Sequence, residues 1–384
     1  MEVRSGYKQT ELGLIPNDWG IDYVKNLAVI KTGSKNTQDR RENGIYPFFV
    51  RSQTVEKINS YSYDGEAVLT AGDGVGVGKV IHYIKGKFDC HQRVYRISDF
   101  NSKLNGYYFY LYFGSNFLNR IMQMTAKSSV DSVRMDMIAD MAIPIPSTLQ
   151  EQTAIAAALS DTDALITSLE KLIAKKHNIK QGAMQELLSP KKGWELKTLK
   201  DVCEMSSGGT PLTSNRSYYD GGIPWVVIAD ISKTGKYISK TEKTISLEGL
   251  KNSSAKLFNK GVLLFAMYAS IGKTTIALVD LTCNQAILGI YAMSVEIEFL
   301  YYFLSYNEKK FSTMGQTGTQ SNLSKDLVEK IEIPIPVRDE QIRIATILAD
   351  LDEEIVSLEC KLEKYRQIKS GMMQNLLTGK IRLV

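Results

Sequence analysis

The sequence predicts an α+β fold in which two globular α/β domains are separated by two long antiparallel coiled-coil helices, with pseudo-twofold symmetry. An internal repeat is the first observation behind this prediction, because the Ile-Pro-Ile-Pro segment at 143–146 recurs at 333–336. The second is that each copy contains short strand-like runs followed by one long apolar heptad pattern. The predicted boundaries are 1–146 for domain 1, 147–190 for a central helix, 191–336 for domain 2 and 337–384 for a C-terminal helix.

The repeat is closest in the helical parts of the two copies. A Glu-Gln pair follows each Ile-Pro-Ile-Pro segment, and the two helical patterns close with similar sequences at 182–188 and 371–377. The globular parts match more loosely. A duplicated scaffold with diverged loops fits this distribution. Plain duplication with drift predicts instead that sequence similarity between the copies is lost equally along their whole length.

Within each copy, β-branched and aromatic runs separated by Gly and Asn clusters predict short strands. The aromatic side chains at helical spacing over 105–123 predict a helix, and 295–311 is its counterpart in the second copy. The predicted strands of the first copy are 24–30, 46–50, 67–70, 79–84 and 93–97.

The long helices carry apolar residues at heptad spacing. Positions 344–362 alternate steps of four and three, which predicts a coiled-coil seam, and three further residues in the first helix widen the apolar stripe. We expect this extra width to be buried against another protein; a simple spacer or dimerisation rod of roughly 60 Å is the alternative. The predicted partner-binding residues are Ile155, Leu159, Leu165, Leu172, Ile179, Ile344, Leu348, Leu351, Ile355, Leu358 and Leu362.

Composition narrows the class of protein. A net charge of +5 permits a nucleic-acid partner without requiring one. The sequence has no run of 18 apolar residues, so we expect no membrane interaction and a cytoplasmic location. The four cysteines lie far apart, which favours free thiols over a structural zinc site.

Catalytic motifs are missing from the sequence. The stretch 74–79 ends in Gly-Lys, but Asp73 stands where a phosphate-binding loop needs Gly, and Met267 does so in the second copy. We therefore predict tight turns that carry a lysine at both places. There is no Gly-x-Ser-x-Gly elbow. We predict no catalytic residues, no metal ligands and no cofactor for this chain.

Taken together, these motifs make the whole chain resemble the specificity subunit of type I restriction-modification systems. The resemblance rests on Ile-Pro-Ile-Pro, then Glu-Gln, then a long helix ending near Met-Gln-x-Leu-Leu, all present twice. The segments 10–19, 320–324 and 377–383 are also similar to the family's. The first copy departs from the family pattern at 129–133.

The resemblance implies that each globular part is a target-recognition domain for one half of a bipartite, asymmetric sequence in double-stranded DNA. It implies that the long helices set the gap between the half-sites and dock two methyltransferase subunits, which endonuclease/translocase subunits can join. S-adenosylmethionine, ATP and magnesium would then belong to the partner subunits. The alternative function is a coiled-coil interaction scaffold without sequence-specific DNA binding; an enzyme in its own right is opposed by the missing motifs.

Recognition of duplex DNA requires Lys and Arg for phosphates and amide, guanidinium or hydroxyl groups for base edges. For each candidate a solvated loop position or a structural hydrogen bond is an equal alternative. Gln92 and Gln285 are favoured because they occupy matching positions, and Trp194 and Trp225 are predicted to be core residues. The candidates are Lys35, Asn36, Arg51, Gln53, Lys79, His91, Gln92, Arg93, Lys127 and Arg134 in domain 1, and Thr210, Arg216, Tyr218, Tyr268, Lys273, Asn284, Gln285, Gln316, Thr319, Gln320 and Asn322 in domain 2.

Overall fold

A computed structural model describes residues 5–124, 132–314 and 322–383 of the chain. Its contacts divide the chain into unit 1, formed by Met1–Glu170 with Cys360–Val384, and unit 2, formed by Lys171–Glu359. The divisions at 170 and 359 fall inside the two long helices, whereas the sequence-based boundaries at 146 and 336 directly follow short strands. Each unit therefore contains one globular domain and part of both helices.

Unit 1 begins with short strands and ends its globular part with the first Ile-Pro-Ile-Pro segment, after which the chain enters the long helix α4 (Leu149–Leu187). A 3₁₀ turn covers Thr37–Asp39. The other elements are β1 (Tyr7–Thr10), β2 (Gly13–Pro16), β3 (Gly20–Tyr23), α1 (Val24–Leu27), β4 (Val29–Thr32), β5 (Tyr46–Phe49), β6 (Glu56–Ile58), β7 (Tyr63–Ala71), β8 (Ile81–Cys90), β9 (Val94–Ser98), α2 (Gly106–Met124), α3 (Met135–Ala139) and β10 (Ala142–Ile145).

A six-stranded sheet in the order β4-β9-β7-β8-β5-β6 forms the centre of the globular part. The aromatic face of α2 packs into the core, where Tyr108, Phe109, Phe113 and Phe117 are fully buried. Pro144 within β10 and Pro146 directly after it favour an extended backbone here, and β10 pairs antiparallel with β3. The predicted helix over 105–123 is therefore confirmed as α2.

Two predicted strands of unit 1 are partly wrong. The segment 79–84 is a strand only from Ile81, because residues 79 and 80 still belong to the turn. The segment 24–30 is a strand only from Val29, because Val24–Leu27 forms the short helix α1. Val24 and Leu27 are both buried while the two residues between them are exposed, which is the three-residue spacing of a helical turn rather than strand alternation.

Unit 2 repeats this plan after α4, with a 3₁₀ turn at Arg216–Tyr218. Its elements are β11 (Glu195–Thr198), α5 (Leu199–Val202), β12 (Cys203–Ser207), β13 (Tyr219–Val226), α6 (Ile228–Lys233), β14 (Tyr237–Ile238), β15 (Lys243–Ile245), α7 (Leu247–Lys251), β16 (Leu263–Ala266), β17 (Thr274–Ala277), β18 (Thr282–Cys283), β19 (Ile287–Ala292), α8 (Ile297–Tyr306), α9 (Glu308–Met314), α10 (Lys325–Glu329), β20 (Glu332–Ile335) and the second long helix α11 (Arg338–Leu376).

The main sheet of unit 2 has the order β12-β19-β16-β17-β14, and a second sheet has the order β15-β13-β18. The second Ile-Pro-Ile-Pro segment forms β20, which pairs antiparallel with β11 as β10 does with β3. The helix predicted over 295–311 is divided into α8 and α9. The backbone leaves the helical region at Asn307 (φ −92°, ψ 8°), where the turn at Gly272 packs closely on Glu308.

The two long helices have 39 residues each, which corresponds to about 58 Å of helix. Within each unit, ion pairs join α4 to α11, and partner numbers in α11 fall as those in α4 rise. The two helices are therefore antiparallel, as predicted. The pairs are Asp163–Lys369 (2.5 Å) and Glu170–Arg366 (2.7 Å) in unit 1, and Lys176–Glu354 (2.6 Å) and Lys180–Asp352 in unit 2.

Candidate nucleic-acid interface

In both units a glycine brings two loops of the globular domain into contact. A Cβ atom on Gly33 would lie 1.9 Å from the carbonyl oxygen of Cys90, and one on Gly208 would lie 2.1 Å from that of Cys283. Any larger residue would push the loops apart. The loop after the first strand of each sheet therefore lies beside the turn that follows Cys90 in unit 1 or Cys283 in unit 2.

His91 and Asn284 form those turns in the same way. His91 Nδ1 accepts a hydrogen bond from the Arg93 backbone N–H at 3.0 Å, and Asn284 Oδ1 accepts one from the Ala286 N–H at 3.2 Å. Burial, with the nearby charge of Arg51, lowers the pKa of His91 and so favours the neutral ring that this bond requires. Both side chains hold the turn that presents the next residue, and their contact with DNA stays a prediction.

That next residue is a glutamine in both units, and it bonds to the neighbouring loop. Gln92 Nε2 donates to Asn36 Oδ1 at 2.7 Å, whereas Thr210 Oγ1 donates to Gln285 Oε1. Both glutamines are exposed. The bond uses the amide nitrogen in one unit and the amide oxygen in the other, so the group outside this bond is Oε1 of Gln92 and Nε2 of Gln285.

Beside this turn, unit 1 has a cluster of arginines arranged around Asp73. Asp73 lies 2.8 Å from Arg51 Nη1 and 3.7 Å from Arg93 Nε, and its backbone bridges to Ser132. Arg134, two residues after Ser132, pairs instead with Asp136, whose Oδ1 lies 3.5 Å from its Nε. These arginine side chains are 46%, 64% and 68% exposed for Arg51, Arg93 and Arg134, so their remaining N–H donors face solvent.

The remaining candidates of unit 1 lie in the same loops. The Lys35 backbone bridges to His91, Gln53 is exposed in the loop after Arg51, and Lys79 is exposed in the turn at Gly78. That turn is tight, as predicted, since Gly78 has a φ of +68°. Lys127 lies outside the described residues.

At the position that matches Asp73, unit 2 has the uncharged side chain of Tyr268. Tyr268 bridges to Asn322 as Asp73 does to Ser132, and the Met267 N–H donates to the Ala286 carbonyl at 2.9 Å, next to Gln285. Thr210, Tyr268, Gln285 and Asn322 therefore belong to adjoining loops.

The other candidates of unit 2 are less closely joined to those loops. Tyr218, in the same 3₁₀ turn as Arg216, accepts a hydrogen bond on its carbonyl from the Ser246 N–H at 2.9 Å, so this turn packs beside α7. Lys273 is half-buried in the turn at Gly272. Gln316, Thr319 and Gln320 lie outside the described residues.

The two tryptophans predicted to be core residues differ in burial. Trp225 is buried, as predicted, and its Nε1 donates to the Gly209 carbonyl at 3.1 Å, which supports the loop that carries Thr210. Trp194 is only half-buried and contacts Phe299 edge-on.

Sequence reasoning missed Asp73 as an organising residue of the candidate interface. Its partners Arg51 and Arg93 are both about twenty residues away along the chain, so only the fold brings the three together. The signal present in the sequence was its place directly before the glycine-rich turn.

The predicted partner-binding residues of the long helices fall into two groups. Ile155 and Leu159 are fully buried in the core of unit 1, and Ile344 and Leu348 in that of unit 2, so these four face the chain itself. Ile355 and Leu362 are also buried, and Leu351 and Leu358 are half-buried. In contrast, three side chains at heptad spacing are exposed by 37%, 38% and 43%: Leu165, Leu172 and Ile179.

The described residues contain no grouping of side chains for a metal ion, no membrane-spanning helix and no disulfide bond. Among residues 5–124, 132–314 and 322–383, no three His, Cys, Asp or Glu side chains are grouped so that they could hold a metal ion. In the same ranges no helix is long and apolar enough to cross a membrane. The four cysteines are free thiols, three of them buried.

Comparison with known proteins gives consistent matches along the chain. The family model described as "Type I restriction modification DNA specificity domain" matches twice, over residues 16–181 and 191–367. The chain is 27% identical to the putative type I restriction enzyme MjaX specificity subunit of Methanocaldococcus jannaschii, covering 98% of this chain and 97% of that one. It is 31% identical to the MjaIX specificity subunit of the same organism, over 48% of this chain and 44% of the relative.

Solved structures agree on the fold. The S subunit of the type I system of M. genitalium aligns with a TM-score of 0.64 at 16% identity over 98% of both chains. The HsdS subunit of Thermoanaerobacter tengcongensis aligns with a TM-score of 0.52 at 16% identity, over 96% of this chain and 98% of that one. With a duplicated α+β plan and a family model that covers most of its length, the chain belongs to the specificity subunits of type I restriction-modification systems.

Proposed function

We propose that this chain recognises a bipartite, asymmetric sequence in double-stranded DNA, with unit 1 contacting one half-site and unit 2 the other. The matched turn that presents Gln92 and Gln285 is the observation that carries the proposal. The same turn appears in both units, yet the glutamine bonds to the neighbouring loop through its amide nitrogen in unit 1 and its amide oxygen in unit 2, and its surroundings differ. A duplicated scaffold that contacts two different sequences requires such a combination.

The chemistry of the two surfaces supports this division. Arg51, Arg93 and Arg134 supply guanidinium groups, which bind phosphate oxygens and the O6 and N7 atoms of guanine. Unit 2 offers hydroxyl and amide groups from Thr210 and Gln285, with Tyr268 beside them. A glutamine amide pairs best with the N6 and N7 atoms of adenine, whereas guanidinium groups favour guanine, so we expect the two half-sites to differ in base composition.

We further propose that two methyltransferase subunits dock on the exposed apolar stripe of α4, and that endonuclease/translocase subunits join them. Leu165, Leu172 and Ile179 present one apolar side chain every seven residues, which places them on one face of the helix at intervals of about 10 Å. Methyl transfer and DNA cleavage would be supplied by those partners with their own S-adenosylmethionine, ATP and magnesium. The reducing cytoplasm suits a chain with four free thiols.

A footprint on DNA tests the proposal against the scaffold alternative. The complex of this chain with its methyltransferase subunits is incubated with genomic fragments that contain a motif methylated in the host. Two protected patches with an unprotected gap are expected. No protection above that of fragments without the motif would contradict sequence-specific binding and would favour a coiled-coil scaffold.

A further inference from the structure

The turn between β7 and β8 presents a single apolar side chain to solvent. Val75 is 95% exposed, the largest exposed fraction of any large apolar side chain in the described residues. Glycines stand on both sides of it, so no other side chain lies between Asp73 and Val77. Single exposed apolar side chains are common on protein surfaces, so Val75 is distinguished by its place on the turn that begins at Asp73, the residue that pairs with Arg51 and Arg93.

The turn that carries Val75 has a defined conformation. The Val77 N–H donates to the Gly74 carbonyl at 3.1 Å, the Val80 N–H donates to that of Gly76 at 2.8 Å, and Val77 itself is buried. Gly74 has a φ of +79°, which disfavours a side chain there. A Cβ on Gly76 would lie 2.5 Å from the Arg51 carbonyl oxygen. The glycines therefore isolate Val75 on a narrow, ordered tip.

The surroundings of this tip fit DNA. Asp73, two residues before Val75, holds Arg51 and Arg93, whose exposed guanidinium groups suit phosphates and guanine edges. The corresponding turn of unit 2 runs from Tyr268 to Gly272 and is one residue shorter than the turn from Asp73 to Gly78. It contains no valine, and Ser270 is bonded there to Ser232 at 3.0 Å.

We propose that Val75 contacts the C5 methyl group of a thymine in the major groove and thereby helps unit 1 to select its half-site, which rests on the proposed function. The thymine methyl is the apolar group that normal base pairs present at the major-groove edge. Side chains that wedge between stacked bases are mostly longer, and they act from the minor groove. A short, β-branched side chain on a narrow tip is suited to a methyl contact instead.

Replacement of thymine by uracil removes only that methyl group and so gives a direct test. The methylated motif is first mapped in the host. Binding of the complex with methyltransferase subunits is then measured on duplexes in which each thymine of the motif is changed singly to deoxyuridine. We expect one position, in one half-site, at which the wild-type complex binds about fourfold more weakly.

The variant Val75→Ala should bind the thymine duplex about fourfold more weakly than wild type and lose no further affinity with uracil at that position. The control Val29→Ala changes a valine on β4 that is 40% exposed, and it should keep the full uracil penalty.

Three results would overturn the inference. One is the absence of any position with a uracil penalty, and another is a penalty that persists in Val75→Ala. Both leave the proposed function standing if the wild-type complex still prefers its motif. A wild-type complex without sequence preference would remove the proposed function and the inference together.

Discussion

Each unit contains a Glu-Gln pair at the start of its long helix, and the glutamine makes the same contact in both units whereas the glutamate does not. Gln152 and Gln341 are both buried, and each accepts a backbone N–H at the start of the domain's helix: Gln152 from Asn105 at 2.8 Å, and Gln341 from Glu296 at 2.8 Å. This contact joins the long helix to the globular domain in both copies. The position has kept its role because the same two elements meet there in each unit.

The neighbouring glutamates have diverged in role although their residue type is unchanged. Glu151 is fully buried, where it accepts hydrogen bonds from Trp19 Nε1 at 3.2 Å and from Arg382 Nη2 at 2.8 Å. Glu340 lies near the surface and pairs with Arg343, one turn along its own helix, at 2.7 Å. A repeated residue therefore takes its role from what packs on it, which for Glu151 is the segment that carries Arg382.

Removal of the arginine of this tail should have the largest effect on stability. Arg382→Ala leaves the Glu151 carboxylate buried without its partner, and we expect a loss of about 3 kcal/mol, at the low end for buried pairs because Arg382 is 25% exposed. Hydrogen exchange of peptides from the start of α4 would measure this loss of stability in unit 1. The matched variant Arg343→Ala breaks an exposed ion pair and should leave the stability of unit 2 unchanged. Equal losses of stability from the two variants would contradict the difference in role between Glu151 and Glu340.

Substitution of the shared glutamines should affect both units alike. Gln152→Leu and Gln341→Leu each leave a backbone N–H and a carbonyl without their partner, because each side chain also donates to a carbonyl at 2.9 Å. We expect a loss of roughly 1–3 kcal/mol in the unit that carries the change. Hydrogen exchange measured on peptides from α2 and from α8 gives the loss of stability in unit 1 and in unit 2 separately. A loss confined to one variant would show that the two contacts are not equivalent.

The exposed glutamines should affect DNA recognition rather than stability. Gln92→Ala and Gln285→Ala should each weaken binding roughly tenfold and relax selection within one half-site, a different one for each variant. Binding to duplexes with single base-pair changes would measure this. The same half-site relaxed by both variants would mean that the units do not act separately.

The smallest expected difference is in acid sensitivity. Burial lowers the pKa of His82 and His91 in unit 1 below the usual 6.5, whereas His177 in unit 2 is exposed. Below pH 6.5 the unfolded chain binds more protons at these two sites than the folded unit does. The free energy of unfolding of unit 1 is therefore highest, as far as these two histidines are concerned, above pH 6.5, and it falls as the pH decreases below that value.

The variant His91→Asn should reduce this loss, because Asn284 holds the same turn in unit 2 without titrating. Hydrogen exchange of peptides from β8, compared at about pH 7.5 and about pH 5.5 after correction for intrinsic rates, would measure it. The control His177→Asn should leave unit 1 unchanged, and a His91→Asn variant as acid-sensitive as wild type would contradict this cause.

Sequence patterns predicted those features of the fold that depend on local spacing. The heptads identified both long helices, and the aromatic spacing identified α2. The same spacing could not separate Ile155, which is buried in its own unit, from Leu165, which is exposed, because heptad position does not specify what covers a side chain.

Within the candidate interface, the two glutamines Gln92 and Gln285 could be identified from their matching positions in the repeat. The roles of His91 and Asn284 were not predictable, since a turn-holding bond to the N–H two residues later depends on backbone geometry. The Asp73 cluster required contacts between distant loops. Val75 was not predictable either, because an apolar residue does not resemble a DNA-contacting one.

Exchange of residues 200–330 for those of a related subunit tests the central claim most directly. Sequencing of methylated motifs in cells that carry the exchanged chain and its methyltransferase reports both half-sites at once. Separate recognition by two units predicts that one half-site changes while the other half-site is retained. A change in both half-sites would contradict it.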